Sequence, residues 1–218
     1  MSNTRAGYRT WTPRTTRSGL EYGGSASQYY WDWPPNPGGQ YFANYDTYDY
    51  ALPNCTVYCL GRMLEHGDDS PITGWHNAAE WHLYPNTAAG WYATPLVNYA
   101  DTIKAGDVLV FVSMNHVVTV ESVVGPHKWY ISESLYTDDN GGASGHRTGT
   151  VWGSTKQAVS DYGIANYPTR FFNYRLIDID GADTWPDYIL HNPKSPTPIG
   201  ELKFYMNQRK QRRRKIHV

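Results

Sequence analysis

Three consecutive runs decide the fold: Asp107–Val112 (DVLVFV), His116–Val124 (HVVTVESVV) and Lys128–Glu133 (KWYISE). All are rich in β-branched and aromatic residues, and turn residues Ser113–Asn115 and Gly125-Pro126 separate them. Runs of this kind, closely spaced, predict an antiparallel meander. Phe171–Ile179 (FFNYRLIDI) predicts one further strand.

Ahead of these strands the pattern is helical. Asn54 precedes CTVYCLGRMLEH and Gly67 follows it. Asn accepts hydrogen bonds from free amides at a helix start, and Gly takes the left-handed conformation that ends a helix. The prediction is a short helix with Cys55 in its first turn; Tyr58, Met63 and Leu64 form its apolar face, with Cys59 beside them. WHNAAEWHLY (75–84) predicts a second short helix. Helices followed by strands make this an α+β domain, expected over residues 45–180. Residues 1–44, rich in Gly, Pro, Ser, Thr and aromatics, predict an N-terminal arm that packs on the domain or on a partner. Residues 181–218 predict a Pro-broken C-terminal extension carrying a helix at Glu201–Lys215 and a basic tail.

At 218 residues the chain can bury a substantial core, and 40% hydrophobic with 18% charged residues is globular composition, which excludes full disorder and coiled coil. No apolar run approaches the roughly 18 residues of a membrane-spanning helix. The first residues, MSNTRAGYRTWTPRTTRSG, lack the apolar core of a secretory signal. The net charge of −1 conceals an asymmetry. Residues 1–19 carry four Arg and no acid, residues 203–218 carry seven Lys or Arg and no acid, and the segment between holds all 20 acidic residues. Basic ends on an acidic body point to an anionic polymer or an acidic neighbour. The acidic body speaks against nucleic acid as the partner.

Two cysteines, Cys55 and Cys59, exclude a disulfide framework and a four-cysteine zinc site. One helical turn apart and pointing outward, they would make a strained bridge. His76 and His82 are six residues apart, off a common helical face, and predict no zinc site.

A cysteine at a helix start has a specific chemistry. The unpaired amides and the helix dipole favour its thiolate, the nucleophilic form. A thiolate that cleaves amides also needs a base that later protonates the leaving amine, which is typically His. His116 begins a strand directly after a turn, where a side chain can meet a helix N-terminus. Glu133 ends the next strand and is placed to orient the imidazole, since adjacent antiparallel strands set such residues side by side.

Five stretches, N54-C55-T-V-Y-C-L-G-R62, G74-W75-H-N77-A78, K104-A-G106-D107-V-L-V-F111, N115-H116-V-V-T-V-E121 and I131-S-E133-S, together resemble the CHAP domain family. The order of the stretches and the spacings, 61 residues from Cys to His and 17 from His to Glu, carry the resemblance. It implies a papain-like CHAP fold and a cysteine, histidine-dependent amidohydrolase or peptidase. Cys55 would then be the nucleophile, His116 the general base and acid, and Glu133 the orienting residue. The family often has Asn shortly after that Glu, where this chain has Ser134 and Leu135. The backbone amide of Cys55 is one expected oxyanion donor, with Asn54 and Tyr50 as side-chain candidates and Trp75 as a candidate for the substrate groove.

Some relatives hold calcium upstream of the cysteine. Asp46 and Asp49 stand there, but two carboxylates fall short of the six or more oxygens calcium takes, so turn residues and no required cofactor are expected. The resemblance implies peptidoglycan as substrate, cleaved as an N-acetylmuramoyl-L-alanine amidase or a peptide endopeptidase. The termini suggest a virion-associated phage tail lysin, with an endolysin held in the host cytoplasm until holin-mediated release as the other form. The alternative is a structural phage tail or assembly protein that keeps the fold without essential hydrolase activity.

Overall fold

The computed structural model describes residues 10–31, 52, 54–74, 76–125, 127–135, 160–161, 164–165, 168–181 and 185–195. The Gly-rich stretch 138–154, the helix expected at Glu201–Lys215, and Asp46, Asp49, Tyr50 and Trp75 lie outside the described residues.

One six-stranded antiparallel sheet organises the chain: β1 (Tyr92–Pro95), β2 (Val108–Phe111), β3 (His116–Gly125), β4 (Lys128–Glu133), β5 (Asn173–Asp178) and β6 (Tyr188–His191), in the order β1-β6-β2-β3-β4-β5. The expected meander is β2-β3-β4-β5. Strand β2 is buried along its whole length because it is covered on both faces. Val108 and Val110 join the core on one side, and Leu109 and Phe111 join the core on the other. The turn into β3 is made by Asn115 at φ 48°, a left-handed conformation that Asn tolerates. Among the described residues no helix is long and apolar enough to cross a membrane.

Helix α2 (Cys55–His66) lies on the Val108/Val110 side, preceded in the chain by the one-turn helix α1 (Ser27–Tyr30). The bounds of α2 follow its caps: the Asn54 side chain accepts from the amides of Thr56 and Val57, and Gly67, at φ 80°, donates to the Leu64 carbonyl. Every residue from Cys55 to Met63 is buried, more than the single apolar face visible in the sequence. Residues 10–31 supply the second cover. Trp11, Leu20, Tyr30 and Trp31 are buried in the same core as Val57, Tyr58 and Met63. The sheet and its core therefore reach beyond segment 45–180 at both ends, with β6 inserted between β1 and β2.

Two expected elements differ. The short helix expected within 75–84 is confined to Ala78–Leu83 and is of the 3₁₀ type, with the Asn77 amide donating to the Glu80 side chain. Phe171 closes a one-turn helix, Pro168–Phe171, and the strand starts at Asn173. Pro168 presets the backbone for a helical turn, which overrides the apolar run that follows it.

Gly61 shows how tightly α1 and α2 approach. A methyl group there would lie 2.4 Å from the Tyr30 ring and 2.7 Å from the Tyr29 carbonyl. In an exposed helix Gly61→Ala would gain about 1 kcal/mol; here overpacking reverses the sign. The variant is expected to lose about 1–3 kcal/mol of stability, read as a lower Tm in a thermal melt. An unchanged or raised Tm would contradict the packing of residues 27–30 on α2.

Candidate active site

The N-terminus of α2 is tied to the end of the sheet before any reactive group is considered. Asn54 is extended (φ −162°, ψ 130°), and its side-chain oxygen receives the Thr56 amide at 2.9 Å, the Val57 amide at 3.1 Å and the Thr56 hydroxyl at 2.6 Å. Asn54 is thus the helix cap. Its own backbone amide donates to the Ser134 hydroxyl at 3.1 Å, and that hydroxyl donates to the Arg170 carbonyl at 3.1 Å. The residue before Cys55 is therefore gripped by the residue after Glu133.

Further along, α2 is docked through polar contacts placed among apolar ones. The Tyr58 hydroxyl donates to Ser132 on β4 at 2.8 Å, and the Thr119 hydroxyl on β3 donates to the Cys59 sulfur at 3.4 Å. Arg62 meets Glu121 of β3 through Nε at 2.9 Å and through Nη2 at 3.0 Å. These contacts set the rotation and axial position of the helix that carries Cys55.

His116, the first residue of β3, and Glu133, the last of β4, meet at the same end of the sheet. Thr119 pairs with Ser132, and that register puts Glu133 across from Val118. The two side chains are thus diagonal neighbours rather than directly opposite, within reach of one another because both are long. His116 Nε2 lies 2.7 Å from Glu133 Oε2, with side-chain exposures of 8% and 1% that leave the pair largely shielded from water. The other carboxylate oxygen, Oε1, accepts from Arg175 Nε at 2.7 Å and from Asn173 Nδ2 at 2.9 Å.

The imidazole is bracketed by Glu133 and by the side chain of Cys55. Burial alone would lower its proton affinity. Interaction with Cys55, then with Glu133, through hydrogen bonding and charge, outweighs burial and lifts the His116 pKa to about 9. For Glu133, burial pushes upward, while the hydrogen bonds and charges of His116 and Arg175 bring its pKa down to about 2. Cys59 contrasts with this environment. It is fully buried, and desolvation pushes its thiol well above the ordinary range, as expected of a packing residue.

The structure thus brings together Cys55, His116 and Glu133 and places Asn54 at the helix cap. Asn173, Arg175 and Ser134 were not singled out from the sequence as site residues. A signal for the first two was present: Asn173 and Arg175 are two apart in a predicted strand, hence on one face, and in the register found here Asn173 pairs with Glu133 itself. Among the described residues, no group of three or more His, Cys, Asp or Glu is gathered as a metal site.

Searches of curated proteins and of solved structures found no match. Residues 43–134 match the family model of the CHAP domain. That span takes in Cys55, His116 and Glu133 and ends before β5 with its Asn173 and Arg175. Over residues 43–134 the chain is thus similar to the CHAP domain family, and that likeness supports a cysteine/histidine amidohydrolase or peptidase with peptidoglycan as its substrate class.

Proposed function

We propose that this protein is a peptidoglycan hydrolase that cleaves an amide bond of the bacterial cell wall by a Cys55–His116–Glu133 thiol mechanism. The observation that carries the reading is the His116 imidazole held between the Cys55 side chain and a Glu133 carboxylate at 2.7 Å. Nε2 is taken by Glu133, so Nδ1 is the nitrogen that serves Cys55.

The steps follow from that arrangement. The Cys55 thiolate, favoured by the α2 N-terminus and by the imidazolium, attacks the carbonyl carbon of the amide. A C–S bond forms, and the C=O π pair moves to the oxygen. The backbone amide of Cys55 is the proposed donor to that oxyanion, since the Asn54 cap occupies the amides of Thr56 and Val57. The oxyanion collapses, the C–N bond breaks, and His116 gives its proton to the leaving amine. Water, deprotonated by the same imidazole, then attacks the thioester. The C–S bond breaks, the acyl fragment leaves as a carboxylate, and the thiolate and imidazolium are restored. Glu133 holds the ring in the required orientation and supports its charged form. The proposal calls on no cofactor.

A phage setting, as a tail-borne lysin or an endolysin, is part of the proposal. Its support is the charge pattern, basic ends on an acidic body, which suits contact with acidic neighbours in an assembly. A structural tail protein without hydrolase activity would have no use for the charge-supported imidazole beside Cys55.

Purified Gram-positive cell walls incubated with wild type and Cys55→Ala test the reading. Mass spectrometry of the soluble muropeptides is expected to show one new class of amide cleavage with wild type and none with the variant. Equal release by both would refute the mechanism. The kcat/KM of wild type is expected to decline as pH rises through about 9, because His116 then lacks the proton owed to the leaving amine. A profile still rising at pH 10 would contradict the assignment of His116.

A further inference from the structure

We infer that Arg175, with Asn173 beside it, is a positioning residue that acts on His116 through Glu133. The inference rests on the thiol mechanism proposed above and adds to it a part supplied by β5, outside the span matched to the CHAP family.

The geometry divides the Glu133 carboxylate between two tasks. Oε2 faces His116 at 2.7 Å, while Oε1 takes both β5 donors, Arg175 Nε at 2.7 Å and Asn173 Nδ2 at 2.9 Å. The strand register explains why both reach it. Asn173 pairs with Glu133 and Arg175 with Ile131, so their side chains leave the sheet on the face that Glu133 uses. A carboxylate with one oxygen free can turn about its terminal torsion, and the imidazole turns with it. Two donors on Oε1 remove that freedom and leave Oε2 with one partner.

Charge adds a second effect. Glu133 is 1% exposed in its side chain, and a buried carboxylate is costly unless cations or hydrogen bonds compensate it. His116 carries a proton for only part of the catalytic cycle. When that proton is on the leaving amine, Arg175 is the cation that keeps Glu133 ionised and ready to receive the imidazolium again. Arg suits the task because its guanidinium stays charged and its planar fork fixes direction as well as charge. The immediate residues after Glu133 cannot do this. The Ser134 hydroxyl is occupied by Asn54 and Arg170, and Leu135 has no polar side-chain atom.

The Arg175 side chain is 41% exposed, so its replacement opens no buried cavity. Arg175→Met keeps most of the apolar stem and removes the charge and the donors. On cell walls it is expected to lower kcat by about ten- to a hundredfold, the scale of a misaligned catalytic group, with KM within about twofold of wild type. Arg175→Lys, which keeps a cation, is expected to recover part of the loss. The Glu133 titration midpoint, followed by NMR of carboxyl-labelled glutamate, is expected to rise in Arg175→Met because a cation has left the carboxylate. Wild-type kcat in Arg175→Met, or Lys no better than Met, would overturn the assignment. Should wild type itself fail to hydrolyse walls, the proposed function falls and the carboxyl titration decides this inference separately: an unmoved Glu133 midpoint refutes it, and a raised one supports it.

Discussion

A single buried carboxylate, Glu121, sets the frame in which the site can exist. It has no exposed surface and gathers five donors: Arg62 Nε and Nη2, Trp11 Nε1, the Arg14 amide and the Ser132 hydroxyl. Those donors come from α2, from residues 11–14 and from β4, while Glu121 itself belongs to β3. Burying a carboxylate costs several kcal/mol, and removal of one partner of such a pair typically costs about 3–5 kcal/mol, so the cluster tolerates little displacement. Arg62 follows Cys55 by seven residues, about two turns or 10 Å along the helix and on the same face. Glu121 follows His116 by five residues of β3. The ion pair therefore registers α2 against β3, and that register decides where the sulfur sits relative to the imidazole. Trp11 extends the cluster by lying over the Arg62 guanidinium at 4.5 Å, which couples the N-terminal segment to the same anchor.

At the end of the sheet the logic is different, because the groups there are held for charge rather than for rigidity alone. Arg175, Glu133 and His116 form a line in which Glu133 is held ionised by the two cations beside it and in turn supports the imidazolium. The consequence for folding has a definite sign. The His116 pKa is raised from 6.5 to about 9, so its contribution to stability is full below pH 6.5 and is lost as pH climbs through about 9. The Glu133 pKa is lowered from 4.5 to about 2, so its contribution is present above pH 4.5 and is lost as pH falls toward about 2. Between those limits the reactive arrangement and the stable one coincide, and the site does not ask the fold to carry uncompensated charge. Cys59, one turn along α2, has no exposed surface, whereas Cys55 at the helix tip keeps 5% exposure.

Elements whose identity is local were legible from the residues. Asn54 and Gly67 announce both ends of α2 because capping depends on a few neighbouring atoms, and β2, β3 and β4 announce themselves through continuous β-branched runs. Strands β1 and β6 did not, being four residues each, with Pro95 ending one and His191 ending the other. Their strand character comes from mutual pairing and from the place beside β2 that β6 fills. The packing of residues 10–31 was hidden for a similar reason: Trp11 and Tyr30 are fixed by partners more than 30 residues away, Glu121 and Glu65. In the site, Cys55, His116 and Glu133 were readable as a constellation of residue types in order. Asn173 and Arg175 were not, since nothing in FFNYRLIDI says which neighbour the strand will choose until the pairing of β4 with β5 is known.

The central claim is that Cys55 is a nucleophile made reactive by His116, and alkylation of the folded protein tests it most directly. Iodoacetamide labelling of Cys55 and Cys59 would be followed by peptide mass spectrometry across pH 5 to 9, in wild type and in His116→Ala. The account predicts that Cys55 is modified far faster than Cys59 in wild type. It also predicts that the His116→Ala variant loses most of that rate near neutral pH. Equal, slow labelling of both cysteines in wild type, or a Cys55 rate that does not change without the imidazole, would contradict it.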